Sequence, residues 1–575
     1  MSKYFGTDGF RGEANEGLTV EHAYRIGRFL GWYYGREHKC AVVIGKDTRR
    51  SSYMFENALS AGLTASGADA YLMHVTTTPS VSYIVRSDDF DCGIMISASH
   101  NPFTDNGIKL LNSAGEKMEQ SVIDEIENYL DGNLEIPFAT DANIGPKGFT
   151  SEKYGGNTYW NTELCCVPFF LLSTPKKIAE NLLIYRYKQL PKAIENARKL
   201  GFDHGAALFP QVTSNGEECH SEWEITFEEV HRNNMIVYAI LQHATLTGTL
   251  DYIAHYGLEV MIAVSRFWSQ RVSFSQPKQK YVILGVTGPD EYENNVNNNW
   301  YTNYSCMRCL ETTLSFLEII ARQYPDEYAR ICSITNLNYT EESERWRDII
   351  ERMYLPEDPE RGIFIQNDGY MDKVLQSTDA IPAGERPINQ YWSWDRILRS
   401  CYIKQSDVLL GLYLYYFNFD RETIRRNFEF YEPMTVHESS LSPHIHSILA
   451  ARIGKVEKAY QLFLHATRLD LDDYNNEGDQ GLHITSMPGS WLAVVRGFAG
   501  LQIQGGTLKI EPVIPAKWSG YSFKVNYLGN TLHIQVGKEI KISLTAGKQL
   551  NIQVYQNVYE LKQGLDLTVN RKDLS

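Results

Sequence analysis

Between residues 39 and 130 short apolar runs alternate with amphipathic stretches. The alternation predicts strands over 41–44, 69–75, 92–97 and 108–111 and helices over 53–66 and 121–130. Strand and helix in turn imply a layered α/β domain on a mainly parallel sheet, which takes ligands at the carboxyl ends of its strands. Periodicity vanishes between 131 and 156, where Gly, Pro and Asn accumulate, and a boundary belongs there. From about 176 to 500 the helical period returns in around ten stretches, among them 176–199, 226–242, 251–271, 302–322, 407–416 and 455–469. Their elaborate connecting loops suit a helical barrel better than a bundle with tight turns. After Gly505-Gly506 the period becomes two, predicting strands over 507–510, 521–527, 531–536, 539–544 and 549–555 that fold as a small antiparallel β-sandwich. The pattern divides the chain as 1–140, 141–504 and 505–575.

A length of 575 residues exceeds what one hydrophobic core serves, in keeping with several domains. The net charge of −15, without clustered Lys and Arg, argues against a nucleic-acid partner, because phosphate backbones are bound by concentrated positive charge. No apolar run reaches the roughly 18 residues that span a bilayer, and Met1 to Gly6 carries no basic leader with an apolar core. A soluble, cytoplasmic protein with no membrane partner is expected. Nine cysteines read as reduced thiols, since the one CxxC pair, Cys306 with Cys309, has no second pair to complete a zinc site. Ten Trp and 12% aromatic residues suit stacking on sugars, and small polar molecules are the expected partners. A homodimer is left open.

The stretch richest in chemistry is Gly285-Val286-Thr287-Gly288-Pro289-Asp290-Glu291-Tyr292, followed by Asn294, Asn295, Asn297, Asn298 and Asn299. It sets a carboxyl among glycines, aromatics and amides after a strand-like run over 281–286. On spacing alone a surface turn is the better reading, because Gly-Pro-Asp is good turn chemistry. Other motifs accompany it: Ile144-Gly145-Pro146-Lys147-Gly148-Phe149, Tyr159-Trp160-Asn161-Thr162-Glu163 and Trp223 to His231. Further on come Lys404-Gln405-Ser406-Asp407, His437-Glu438-Ser439-Ser440-Leu441-Ser442 and Gly481-Leu482-His483-Ile484-Thr485-Ser486. Together, over about 430 residues, they resemble the maltose phosphorylases of glycoside hydrolase family 65.

The resemblance implies an (α/α)6 barrel, then a β-sandwich. The implied reaction is inverting phosphorolysis of an α-glucosidic disaccharide to β-glucose 1-phosphate and glucose. The loop from Pro210 to His220 resembles the maltose-specific members. Glu291 is the implied general acid. Inorganic phosphate is already an anion, so it needs a cradle of donors rather than a base, and Ser439, Ser440, His483 and Thr485 can form one. By residue type alone the serines read as helix caps and His483 as a core imidazole. Lys404 and Gln405 resemble the family's sugar-hydroxyl ligands, with Trp160 and Asn161 in the same subsite and Glu224, Glu228 and His231 near the acceptor side. No cofactor is implied, because phosphate is a substrate. The family usually carries Asp where this chain has Asn161; loss of a charge-assisted bond there costs about 1–2 kcal/mol of sugar binding. The family's N-terminal β-sandwich, linker helices and first barrel helix have no counterpart before Asn143.

The N-terminal part carries a different set. Gly6-Thr7-Asp8-Gly9-Phe10-Arg11-Gly12, Gly45-Lys46-Asp47-Thr48-Arg49, Thr77-Thr78-Pro79 and Ile96-Ser97-Ala98-Ser99-His100-Asn101-Pro102 resemble domain 1 of the phosphoglucosamine mutases, in the phosphohexomutase superfamily. The resemblance makes Ser99 the phosphoserine, which also offers an oxygen to Mg²⁺, and puts Thr7, Arg11 and His100 in the substrate and phosphate loops. The metal's carboxylates lie in a DxDxD-type loop of the family's domain 2, and residues 141–575 contain no such loop. A fusion of the two families is therefore expected, with a mutase fragment or an inactive sugar-phosphate binding protein as alternatives.

Overall fold

The computed structural model describes residues 3–36, 38–134, 136, 144–148, 150, 157–220 and 223–570, without the side chains of Trp223 and Glu224. The chain divides into two compact units, Met1–Ala142 and Asn143–Ser575.

The first unit is built on six strands, β1 (Phe5–Gly6), β2 (Gly9–Glu13), β3 (Ala41–Lys46), β4 (Asp69–Val75), β5 (Cys92–Ile96) and β6 (Asp105–Asn112), in the order β1-β2-β6-β5-β3-β4. Helices α1 (Val20–Tyr34), α2 (Arg50–Ala65), α3 (Thr78–Ser87) and α4 (Gln120–Leu130) cover both faces. Val42, Ile44, Ile94, Ile96 and Ile108 pack into one core with α1, α2 and α4, while Val43, Met95 and Leu111 meet Val81 and Val85 of α3 in another. A Cβ on Gly62 would lie 2.1 Å from the Tyr24 carbonyl oxygen, so α1 and α2 touch backbone to backbone there.

The expected mainly parallel sheet is instead mixed. β3 pairs in parallel with β4 and β5, but β6 returns antiparallel on β5, and β2 antiparallel on β6. Only residues 97–104 connect β5 to β6, too few for the crossover that a parallel pair requires. Helix α3 escaped the sequence pattern because its Thr-Pro start reads as a turn; Pro79 sits in its first turn, where no backbone donor is missed.

The second unit is mainly helical through residue 498, with two short two-stranded sheets at Ser273–Ser275 with Lys280–Val282 and Glu357–Asp358 with Ile363–Phe364. The single helix expected over 176–199 is two, Lys176–Lys188 and Leu190–Lys199, because Pro191 can open a helix but not continue one. The helix expected over 226–242 is displaced to Arg232–Thr247, behind a short one at Trp223–Glu228. Every residue from Arg232 to Ile240 is buried, and a helix enclosed on all sides shows no amphipathic stripe to mark its ends. No helix among the described residues is long and apolar enough to cross a membrane.

The C-terminal strands form two four-stranded sheets. One runs Gln502–Gln504, Thr507–Ile510, Gln549–Val554, Asn557–Lys562; the other runs Tyr521–Tyr527, Asn530–Val536, Glu539–Ala546, Asp566–Asn570. The expected purely antiparallel arrangement fails at one place: Leu508 and Ile510 pair in parallel with Ile552 and Val554. Residues 511–548 lie between these strands, so no hairpin constrains their direction. Two strands were not expected, Asn557–Lys562 and Asp566–Asn570; each lies at a sheet edge and has one buried residue.

Candidate active site

The loop carrying Glu291 runs from strand Lys280–Val282 to the 24-residue helix Trp300–Gln323, whose first turn is capped by the Asn299 side chain. Val286 and Val296 exchange backbone hydrogen bonds of 2.9 and 2.7 Å across its neck. Glu228 braces it from outside, accepting from Thr287 Oγ1 at 2.7 Å and from Asn295 Nδ2 at 3.1 Å. A Cβ at Gly288 would stand 2.3 Å from Asp407 Oδ2 and 2.4 Å from Asn299 Nδ2, so only glycine lets the loop settle there.

Its two adjacent carboxyls have different surroundings. Asp290 is fully buried and accepts from Lys404 N at 2.8 Å, Gln366 Nε2 at 2.8 Å and Tyr292 N at 3.3 Å. Burial, then the nearby Glu293 carboxylate, push its pKa up to about 7. Asp407, which accepts from Asn299 Nδ2 at 3.0 Å, is also pushed up, by burial and then by Asp290. Glu291 is partly exposed and pairs with Lys404 Nζ at 2.5 Å. Lys404 thus meets the loop twice, through its backbone and through its ammonium.

Gln405 donates to the Pro289 carbonyl and accepts from Ser439 Oγ. Lys404, Gln405, Ser439 and Glu291 therefore come together, and Ser440 follows Ser439 on the same half-buried loop. Lys404 and Gln405 lie in the turn ahead of helix Val408–Leu414. Trp160 stands edge-on to His231, ring centroids 5.3 Å apart, both almost wholly buried. Burial, then Arg232, lower the His231 pKa to about 3, so this imidazole is neutral and its 4.0 Å approach to Glu229 is no ion pair. Glu229 is itself pushed well up, first by burial and then by Glu291, and its Oε1 is buried without a hydrogen-bond partner.

A second cluster begins at the residue after Trp160. Asn161 Nδ2 donates to Thr485 Oγ1 at 2.7 Å, which leaves the threonine proton for another acceptor, while Asn161 Oδ1 is buried and unpartnered. His483 has both ring nitrogens engaged: Nδ1 with Asp470 at 2.6 Å, Nε2 with Lys147 Nζ at 2.7 Å and Glu477 at 3.2 Å. The buried ammonium of Lys147 therefore accompanies the imidazole expected to meet an anion. The side chain of Glu224 lies outside the described residues.

Lys147, Glu229 and Asp290 were not picked out from sequence as site residues. Lys147 and Glu229 stood inside motifs already noted, and their buried placement is what distinguishes them. Asp290 stood beside Glu291, with nothing in the pattern to show that one carboxyl is enclosed and the other is not.

In the first unit Ser99 is exposed on the turn after β5 at φ 57°, a left-handed conformation uncommon for serine. Its Oγ lies 3.4 Å from His100 Nδ1, and its carbonyl accepts from Arg49 at 3.0 Å. Arg11 reaches the same turn at Asn101 Oδ1, 3.4 Å away, and the Thr7 carbonyl accepts from Lys117 Nζ at 2.5 Å. Among the described residues no three metal-ligating side chains converge on Ser99, so the residues present do not fit a Mg²⁺ site and no step is drawn through that ion.

Comparison with known proteins agrees with both units. The profile of the glycosyl hydrolase family 65 central catalytic domain matches residues 135–492, and that of the family's C-terminal domain matches 501–561. The phosphoglucomutase/phosphomannomutase alpha/beta/alpha domain I matches 2–136. Maltose phosphorylase of Bacillus subtilis (strain 168) is 52% identical over 415 residues, covering 72% of this chain and 54% of that protein. Alpha,alpha-trehalose phosphorylase of Thermoanaerobacter brockii is 37% identical, covering 73% and 54%. Phosphoglucosamine mutase of Lachnospira eligens is 75% identical over 149 residues, 25% of this chain and 33% of that one. A solved putative kojibiose phosphorylase from the human microbiome superposes with a TM-score of 0.71 at 29% identity, covering 81% of this chain and 70% of that one. The chain spans about half the length of the curated phosphorylases it matches. From residue 135 onward, behind a phosphohexomutase domain I, the chain belongs to glycosyl hydrolase family 65.

Proposed function

We propose that the Asn143–Ser575 unit cleaves an α-glucosidic disaccharide, maltose first among them, by inverting phosphorolysis to β-glucose 1-phosphate and glucose. The observation that carries this is the meeting of Glu291, Lys404, Gln405 and Ser439 from three distant segments. With it goes the reading of the helices up to residue 498 as the family's (α/α)6 barrel and of the two terminal sheets as its small sandwich.

In this reading Glu291 protonates the glycosidic oxygen as the C1–O bond breaks, and a phosphate oxygen forms the new bond to C1 from the opposite face. The ion pair with Lys404 uses the carboxylate form of Glu291, whereas acid catalysis uses the carboxylic acid. The sugar must therefore draw the ammonium onto its own hydroxyls. Ser439, Ser440 and Thr485 supply hydroxyl donors for phosphate, and Lys147 supplies positive charge through His483. Neutral His231 and Trp160 wall the sugar. Incubating the protein with maltose and phosphate should release glucose and β-glucose 1-phosphate in equal amounts. Phosphate-independent glucose release, or none, would overturn the proposal.

Asn161 supplies a second test. Asn161→Asp restores a charged acceptor, and KM for the disaccharide is expected to fall about 5- to 30-fold, the equivalent of 1–2 kcal/mol. An unchanged KM would mean that no sugar hydroxyl reaches this side chain.

For the first unit, exposed Ser99 in the grip of Arg49 supports a phosphoryl carrier. An intact-mass gain of one phosphate that disappears in Ser99→Ala would favour it, and an unmodified Ser99 would count against it.

A further inference from the structure

Beneath the loop that carries Ser439 and Ser440 lies a group of side chains that phosphorolysis does not use. Glu432, in the short turn after helix Arg421–Tyr431, faces His437 at the start of the loop and His446 on helix Pro443–Arg452. One donor atom from each lies within 4.8 Å of the other two. His437 Nε2 is 3.9 Å from Glu432 Oε1, and the two imidazole rings stand edge to face at 4.6 Å between centroids. His446 is wholly buried with neither ring nitrogen hydrogen-bonded, and His437, 7% exposed, has Nε2 buried and unpartnered. Buried imidazole nitrogens rarely go without a partner, and here those of two residues converge beside a carboxylate.

We infer that Glu432, His437 and His446 form a binding site for a borderline divalent metal ion, with Zn²⁺ the best match. A set of two imidazoles and one carboxylate is zinc chemistry; the harder Mg²⁺ and Ca²⁺ prefer oxygen alone. Tetrahedral Zn–N bonds of about 2.0 Å place ligand atoms roughly 3.4 Å apart, so side-chain rotations of about an ångström close the set. His437 is already oriented: its Nδ1 meets Ser442 Oγ at 2.8 Å, and when Nδ1 donates, the Nε2 lone pair faces Glu432. Burial, which also lowers the pKa of His437, keeps His446 in the neutral form that ligates, with the Lys458 ammonium acting in the same direction. A cleft of about 590 Å³ bordered by Glu432, Pro433, Lys455 and Lys458 opens on the carboxylate side of the set. Lys458 Nζ now holds Glu432 Oε1 at 2.5 Å; it is 40% exposed and free to swing out, which makes it the metal's competitor. The bound ion would pin residues 437–442 between two helices.

The test is titration of the chelator-stripped full chain with Zn²⁺ and, as a visible probe, Co²⁺. One equivalent should bind, with a Co²⁺ absorption band and a raised Tm under Zn²⁺. Ser442→Ala, which releases His437, should weaken binding about 10- to 100-fold. Lys458→Met should tighten it, whereas a site that serves only as a salt bridge would lose Tm in that variant and gain no metal. Glu432→Gln and His446→Gln should abolish the Co²⁺ band. Substoichiometric binding in the wild-type chain would overturn the assignment, as would a band that persists in both of the last two variants.

Discussion

Glu291→Gln should lower kcat for maltose phosphorolysis by about 10²- to 10⁴-fold, the range a positioned general acid contributes. Glutamine keeps the size and the hydrogen-bonding oxygen but has no proton to give the departing glucose. Some stability is lost as well, because the ion pair to Lys404 is only about one-fifth exposed and the substitution leaves its ammonium beside a neutral amide. An α-glucosyl fluoride separates the acid role from a positioning one, because fluoride leaves without protonation. The variant should cleave it with phosphate at close to the wild-type rate. If both substrates suffer equally, Glu291 positions the sugar and the acid lies elsewhere, with Glu229, a buried carboxyl that feels the Glu291 charge, the one to examine.

The second large effect belongs to the neighbouring residue and appears in stability. Asp290 holds its proton up to about pH 7 in the folded chain, whereas the unfolded carboxyl releases it near 3.8. Between those values the folded state binds more protons at this site than the unfolded one, so the contribution of Asp290 to stability is most favourable below about pH 4 and declines as pH rises. Above pH 7 the full penalty of the buried carboxylate, net of its three hydrogen bonds, is present, on the order of 4 kcal/mol. Asp290→Asn removes the charge. The new amide can still accept from Lys404 N, and a flip of Gln366 turns its unpartnered Oε1 toward the new Nδ2. Urea midpoints followed by tryptophan fluorescence would show this, since nine of the ten Trp lie in the Asn143–Ser575 unit. The wild-type midpoint should fall between pH 5 and pH 8, and the variant's advantage should grow over the same range. Parallel curves for the two proteins would mean that Asp290 does not titrate there.

These two adjacent residues also mark where the sequence stops being informative. Asp290 and Glu291 belong to one motif, and local pattern treats them alike. One is enclosed and the other partly exposed, and Lys404, 113 residues away from Glu291, meets both. The displaced helix at Arg232–Thr247 makes the same point for the fold: periodicity reports a boundary between core and solvent, and a helix with core on every side has none. By contrast, the strand over 69–75 was legible to the residue, because turn residues bound it at both ends and no distant partner had to be known.

By itself, then, the sequence determined the order and kind of most elements, the junction between an α/β part and a helical part, and the motif holding Glu291. All of these are written in spacing along the chain, where propensity and turn chemistry act locally. Only the tertiary structure decided that the first sheet is mixed, that Lys147 stands with His483 336 residues away, that Glu229 is a buried neighbour of Glu291, and that two histidines and a glutamate converge beneath the serine loop. Each of these depends on burial and on contacts between residues far apart in the chain, and desolvation, which sets the protonation state of a carboxyl or an imidazole, exists only once the surrounding core has formed.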